Sequence, residues 1–200
     1  MVFYGDSISE VGRTPNWFGG ATAAERNWGQ QLCALLGAAF PACRFVGEHF
    51  GIGGQNTYEG LGRLDGLAPL APELVFVAFG ANDCGFHTLA PDETRLALTH
   101  LLDGIAARTQ ADAVVLSSAC FNPQSPLYPH VPETIAAQRA VAGEKQVLFV
   151  DLQAAVREAT GNGARWSEFH NGVQDCHPND AGHALWARTV LAAVWPHLTA

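Results

Sequence analysis

A chain of 200 residues, 48% apolar and 15% charged, has enough apolar content to bury a sizeable core and too little charge to stay disordered. Its formal net charge of −8, with the 11 Lys and Arg scattered rather than clustered, argues against nucleic acid as a partner and disfavours strongly anionic substrates. No apolar run reaches the length of a membrane-spanning helix, so no membrane is implied. The chain opens directly on Met1-Val2-Phe3-Tyr4 with no basic stretch before a long apolar one, which points to the cytoplasm if the chain is complete.

Residues 2–4 read as a short strand stopped by Gly5. Residues 23–36 read as a helix, with Trp28, Leu32, Leu35 and Leu36 at helical spacing. A short strand at 44–46 and a small helix at 57–67 follow. Residues 74–79 (Leu-Val-Phe-Val-Ala-Phe) are apolar at every position, the pattern of a parallel strand covered on both faces. Pro91 opens a helix with a stripe of Leu98, Leu101, Leu102 and Ile105. Strands at 113–116 and 147–150 flank a helix at 132–141. The last helix starts near Asn179 and presents Ala184, Ala187, Leu191 and Val194 on one face. Five strands alternating with helices, without repeat or linker, predict a single domain over 1–200: an α/β fold, a three-layer α/β/α sandwich around a five-stranded parallel sheet.

In such sheets the ligand sits at the carboxyl ends of the strands, and the polar motifs fall there. Gly5-Asp6-Ser7-Ile8-Ser9 follows the first strand, and a tight turn there would expose Ser7 as a nucleophile beside backbone N–H donors. Taken alone, so short and common a motif reads rather as a helix cap. Gly51-Ile52-Gly53-Gly54 follows the second strand, and its glycines let backbone N–H groups approach a ligand, although taken alone it reads rather as a plain loop turn. Gly80-Ala81-Asn82-Asp83 follows the third, where the Asn82 amide can donate to an oxyanion and Asp83 can brace the loop. Asp175-Cys176-His177-Pro178-Asn179-Asp180 precedes the last helix. There His177 can accept the Ser7 proton if an acid holds its ring, and Asn179 or Asp180 caps the helix.

Four motifs in this order, spanning Gly5 to Gly182, resemble the GDSL/SGNH hydrolase family of esterases, lipases, thioesterases and carbohydrate deacetylases. The resemblance implies the flavodoxin-like SGNH hydrolase fold, with Ser7 as nucleophile and His177 as base. It implies an oxyanion hole from the N–H groups of Ser7 and Gly54 and the amide of Asn82, with Asp6 and Asp83 in support. The implied enzyme needs no cofactor and no metal. The family places its acid three residues before the histidine, where this chain has Gln174; Asp175 is two before. Positions two and three back face opposite sides of an extended segment, so a bulge or tight turn must re-aim Asp175. Gln174, a backbone carbonyl or a more distant acid are the alternatives.

The expected activity is hydrolysis of short-acyl, above all acetyl, esters of small molecules or carbohydrates. The aromatics that suit such substrates as well as they suit core packing are Trp17, Phe18, Phe86 and Phe121, near His87 and Asn122. A thioesterase or lysophospholipase would use the same machinery. A binding module without activity is the reading that the shifted acid favours, and the presence of Ser7, Gly54, Asn82 and His177 together opposes it. A metal-dependent phosphoesterase is disfavoured because no Asp-x-His or His-x-His pair accompanies Asp6. His183, six residues after His177, is expected at the surface. The five cysteines (33, 43, 84, 120, 176) form no Cys-x-x-Cys pair and read as free thiols, with Cys33 and Cys43 the candidates for a disulfide in a secreted protein.

Overall fold

The computed structural model describes residues 1–10, 26–85, 89–117, 121–125, 128, 130–173 and 175–198. They form a five-stranded parallel sheet of β1 (Val2–Gly5), β2 (Glu48–Gly51), β3 (Leu74–Ala78), β4 (Asp112–Leu116) and β5 (Leu148–Val150), in the order β2-β1-β3-β4-β5. Around it lie α1 (Trp28–Ala39), α2 (Thr57–Leu61), the single turn α3 (Ala81–Cys84), α4 (Pro91–Arg108), α5 (Val131–Glu144), α6 (Leu152–Ala159) and α7 (Asp180–Leu198). No helix among the described residues is long and apolar enough to cross a membrane.

Strand alternation divides the core into two. Phe3, Phe76, Val114 and Val150 point to the face packed by α1, α6 and α7. Val2, Tyr4, Val75, Val77 and Val115 point to the face packed by α4, and there Leu98, Leu101, Leu102 and Ile105 form the expected buried stripe. Both faces of β3 are therefore covered, which is why its sequence carries no polar alternation. The chain runs from β1 out to the edge strand β2 and returns on the other side of β1 as β3. That reversal opens a crevice at the carboxyl ends of β1 and β3, the usual ligand position in a sheet of this order.

Several boundaries differ from expectation. The second strand lies at Glu48–Gly51, not 44–46, because backbone pairing with β1 selects it (Val2 with Glu48 through Gly5 with Gly51). Phe45 instead packs against Phe40, ring centroids 6.1 Å apart. The first helix begins at Trp28 because Asn27 caps it, its side chain accepting the Gln30 N–H while the Gln30 side chain accepts the Asn27 N–H. The predicted helix at 57–67 ends at Leu61 and continues as 3₁₀ turns at Leu64–Gly66 and Ala68–Leu70, in a stretch interrupted by Gly60, Gly62, Gly66 and Pro69. Helix α6, unforeseen, is capped by Asp151, whose side chain accepts the Ala154 N–H. On α7 the buried face is His183, Trp186, Ala187, Val190 and Val194; Ala184 and Leu191 are only half-buried.

Candidate active site

β1 ends at Gly5, and a Cβ there would meet the Ala78 carbonyl oxygen at 2.5 Å, so glycine is what lets the two strand ends approach. In the following turn Asp6 is buried, and its Oδ1 accepts the Ile8 N–H at 3.0 Å. The Ser9 N–H donates to the Asp6 carbonyl at 3.1 Å. Between buried Asp6 and Ile8, Ser7 reaches solvent. Burial pushes the Asp6 carboxyl up to about 7, against the Ile8 N–H and the charge of His177, and with the help of nearby Asp83.

Ser7 Oγ lies 3.0 Å from His177 Nε2. Asp175 Oδ1 lies 2.9 Å from His177 Nδ1 and accepts the His177 backbone N–H at 2.8 Å. An aspartate bonding the backbone N–H two residues on makes an Asx turn, and this is the tight turn that aims Asp175 at the ring from a spacing of two. Gln174 lies outside the described residues. With Asp175 accepting at Nδ1, the proton sits on Nδ1 and Nε2 is left as the acceptor facing the Ser7 hydroxyl. Burial alone would lower the basicity of His177, but the bonds to Asp175 and Cys176 and the carboxylate charge raise it well above the ordinary histidine value. Conversely burial would raise the Asp175 carboxyl, and the His177 ring and N–H bring it below its ordinary value.

The segment carrying this pair is tied down from behind. The Trp166 indole N–H donates to the Asp175 carbonyl at 3.1 Å, the Asn171 N–H to the His177 carbonyl at 3.1 Å, and the Asn179 N–H to the Phe169 carbonyl at 3.0 Å. Asn179 caps α7, its Oδ1 accepting the N–H groups of Ala181 and Gly182. The Asn122 amide donates to the Val173 carbonyl at 3.3 Å, joining the loop after β4 to the same segment.

Gly54 and Asn82 stand at the ends of β2 and β3. Gly54 has φ +81°, a conformation that favours glycine. The neighbouring Gly53 N–H donates to Glu10 Oε2 at 3.0 Å, linking this loop to the turn that carries Ser7. Asn82 Nδ2 donates to the Gln55 carbonyl at 2.9 Å, so the third motif holds the second. Asp83, fully buried, accepts the Thr57 N–H at 3.1 Å and the Thr94 hydroxyl at 3.2 Å, pinning the start of α2 to α4. Burial raises the Asp83 carboxyl, and those two threonines oppose the rise.

Other expectations are corrected. His183 is buried rather than exposed, 6% accessible, and its Nδ1 accepts the Trp28 N–H at 3.1 Å. Cys33 and Cys43, by contrast, are the free thiols expected, and the alternative disulfide between them is not formed. Phe121 is buried against Tyr128, ring centroids 4.1 Å apart, and so serves packing. Trp17, Phe18, Phe86, His87 and Cys120 lie outside the described residues. Sequence reasoning missed Glu10, Arg63 and Trp166, each of which bonds a backbone group that no local pattern pairs with it: the Gly53 N–H, the Gly5 and Phe50 carbonyls, and the Asp175 carbonyl. It also passed over Cys176, whose Sγ lies 3.5 Å from His177 Nδ1. Among the described residues, Asp175, Cys176 and His177 are the side chains close enough together to share a metal ion.

A doubly covered parallel sheet with a serine, a histidine and an aspartate in one hydrogen-bonded row at its switch point has the layout of an α/β hydrolytic enzyme. The model of the GDSL-like lipase/acylhydrolase family matches residues 3–185, and the chain belongs to that family. It is a carboxylic ester hydrolase of the GDSL type. An acetylxylan esterase of Geobacillus stearothermophilus is 24% identical over 97% of this chain and 93% of its own. A crystal structure of an acetylxylan esterase from that organism superposes with a TM-score of 0.77, at 23% identity over 96% of this chain and 92% of that one. A hydrolase from the metagenome of Lake Arreo, Spain, superposes with a TM-score of 0.76, at 24% identity over 97% and 94% of the two chains. The last two establish the shared fold.

Proposed function

We propose that the chain, acting as one hydrolase domain, removes acetyl groups from carbohydrate esters through an acyl-enzyme on Ser7. The observation that carries this reading is the continuous row from Ser7 Oγ to His177 Nε2, 3.0 Å, and from His177 Nδ1 to Asp175 Oδ1, 2.9 Å. The acetylxylan esterase relative, aligned over nearly the full length of both chains, supports the substrate class.

In this mechanism His177 Nε2 takes the Ser7 proton as Ser7 Oγ attacks the ester carbonyl carbon. Asp175 holds the ring and stabilises the imidazolium that forms. The oxyanion lies against the N–H groups of Ser7 and Gly54 and the second N–H of the Asn82 amide, whose first N–H is held by Gln55. His177 gives that proton to the sugar oxygen as its bond to the acetyl carbon breaks, and the sugar leaves as a free hydroxyl. Water, activated by His177, then releases acetate and restores Ser7. Asp6 and Asp83 act as braces, through the bonds already described.

The test is hydrolysis of p-nitrophenyl esters from acetate to long chains, together with acetylated xylooligosaccharides, by the wild type and Ser7→Ala. The expected result is a preference for acetate, release of acetate from the oligosaccharide, and a folded Ser7→Ala protein with activity reduced by about 10⁶. Activity retained in Ser7→Ala would overturn the mechanism. A preference for long acyl chains would overturn the substrate class.

A further inference from the structure

We propose that Asp175, Cys176 and His177 form a site for one thiophilic divalent cation, zinc fitting best, and that filling it switches the esterase off. The switching half of this proposal rests on the reading of His177 as the base.

Each of these three consecutive residues offers one ligand atom, and the three atoms lie within 4.8 Å of one another. Cys176 Sγ and His177 Nδ1 are 3.5 Å apart. Tetrahedral zinc, with Zn–S of about 2.3 Å and Zn–N of about 2.0–2.1 Å, sets its sulfur and nitrogen ligands about 3.6 Å apart, so that pair is already spaced for the ion. Asp175 Oδ1 and His177 Nδ1, 2.9 Å apart across a hydrogen bond, need to open by only about 0.5 Å for zinc to take the proton's place. All three residues are part-exposed, so water can complete the coordination. The donor set decides which ions fit. One sulfur, one imidazole nitrogen and one carboxylate suit zinc and similar cations; magnesium and calcium prefer all-oxygen sites.

The chemistry of the ring makes this site inhibitory. In the proposed catalytic state the ring proton is on Nδ1 and Nε2 accepts from Ser7. A cation on Nδ1 needs that nitrogen's lone pair, so the ring proton moves to Nε2. Coordination also ionises the Cys176 thiol, whose proton goes to solvent. The balance is one cation bound, one proton released, and a neutral imidazole with its N–H turned toward Ser7 Oγ. Such a ring cannot take the serine proton. Asp175, drawn to the ion, no longer holds the catalytic tautomer. The ion is therefore an inhibitor and not a cofactor, and Cys176 is what distinguishes the site from an ordinary Asp–His pair.

Two measurements test this. First, p-nitrophenyl acetate hydrolysis is followed as zinc is titrated, each variant scaled to its own zinc-free rate. The wild type should lose activity saturably, regain it with EDTA and ignore magnesium, and Cys176→Ser and Cys176→Ala should each require at least the roughly 10–100-fold more zinc that loss of even an outer-shell partner costs. Equal zinc sensitivity in these variants would overturn the proposal. Second, cobalt(II) is added to the Ser7→Ala protein, where a thiolate-to-cobalt absorption band should appear and should vanish in Ser7→Ala/Cys176→Ser. A band that survives loss of Cys176 comes from another thiol, such as Cys33 or Cys43, and overturns the site. A band that depends on Cys176, in an enzyme whose rate zinc leaves unchanged, overturns the switch. The cobalt arm needs no activity, so a wild type that hydrolyses no ester would sink the functional reading while the band still decides the site.

Discussion

Asp175 Oδ1 accepts both the backbone N–H and the ring N–H of His177, so the turn that places the carboxylate also fixes the ring's tautomer. The consequence is readable in the pH dependence. A general base works unprotonated, and Asp175 and Cys176 hold the His177 proton more tightly than burial loosens it. The rising limb of kcat/KM should therefore have its midpoint above the ordinary histidine value of about 6.5. Asp175→Asn should move that midpoint down and lower turnover by about 10⁴, the usual cost of losing the acid's charge. A variant with the wild-type profile and rate would show that another group orients the ring. At Asn82, one amide N–H is committed to Gln55, and the proposed mechanism assigns the other to the oxyanion. Asn82→Ala should cost about 10²–10³ in turnover, with a loss of stability near 1 kcal/mol for the bond to Gln55, measured by urea titration. Unchanged turnover would remove Asn82 from the oxyanion hole. The sequence exposed these residues because each lies in a short motif, at the end of β3 for Asn82 and just before α7 for Asp175 and His177. It did not expose how Asp175 reaches the ring, since an Asx turn is a backbone conformation that a spacing of two does not specify.

At the scale of elements, what was legible followed from local periodicity. The all-apolar β3 and the α4 stripe lie where their patterns put them, because in each the local period alone marks which residues are buried, whichever distant elements cover them. β2 was misplaced because an edge strand needs only a backbone ladder, and Glu48-His49-Phe50-Gly51 has no alternation to announce one. Arg63 shows the same limit. In the sequence it is one scattered cation. In the fold its guanidinium donates to the Phe50 carbonyl at 2.7 Å and the Gly5 carbonyl at 3.1 Å, spanning the ends of β2 and β1 from which the Gly54 loop and the Ser7 turn depart. It lies 4.8 Å from the centre of the Tyr4 ring and 5.0 Å from that of Phe50. A lysine has no planar fork to serve two carbonyls at once. Arg63→Lys should lose one of these two charge-assisted bonds, although the Gly5 carbonyl keeps the Ile52 N–H at 3.1 Å, at a cost of about 1.5–3 kcal/mol. The melting temperature should fall by roughly 2–4 °C for each kcal/mol lost. If the bridge also sets the distance between nucleophile and oxyanion donors, kcat should fall more than KM rises. A variant with the wild-type kcat and a lowered Tm would assign Arg63 to stability alone.

Across the whole molecule, the layer behind the dyad contains two further buried histidines, and they make folding sensitive to acid. His170 is 1% exposed and stacks on Trp166 with centroids 3.6 Å apart, and neither ring nitrogen has a hydrogen-bond partner among the described residues. Burial, with smaller and opposed contributions from its neighbours, lowers its pKa to about 3, and burial likewise lowers that of His183 to about 4. In the unfolded chain both return to about 6.5. Between these values the unfolded state binds the extra protons, so stability is fully present above pH 6.5 and drains away as the pH falls toward 4 and 3. Asp6 acts in the opposite sense, because its folded pKa of about 7 lies above its unfolded value, and it favours the folded state as the pH falls from about 7. The histidine effect is therefore isolated by difference. His170→Phe keeps an aromatic face for Trp166 and removes the titration, while Asp6 contributes equally to variant and wild type. Between pH 7.5 and pH 5.0, urea unfolding should show His170→Phe losing less stability, or gaining more, than the wild type, since Asp6 and His177, both with raised folded values, act alike in the two proteins. An equal change in both would mean that His170 meets water or a partner in the folded protein and titrates there much as it does in the unfolded chain.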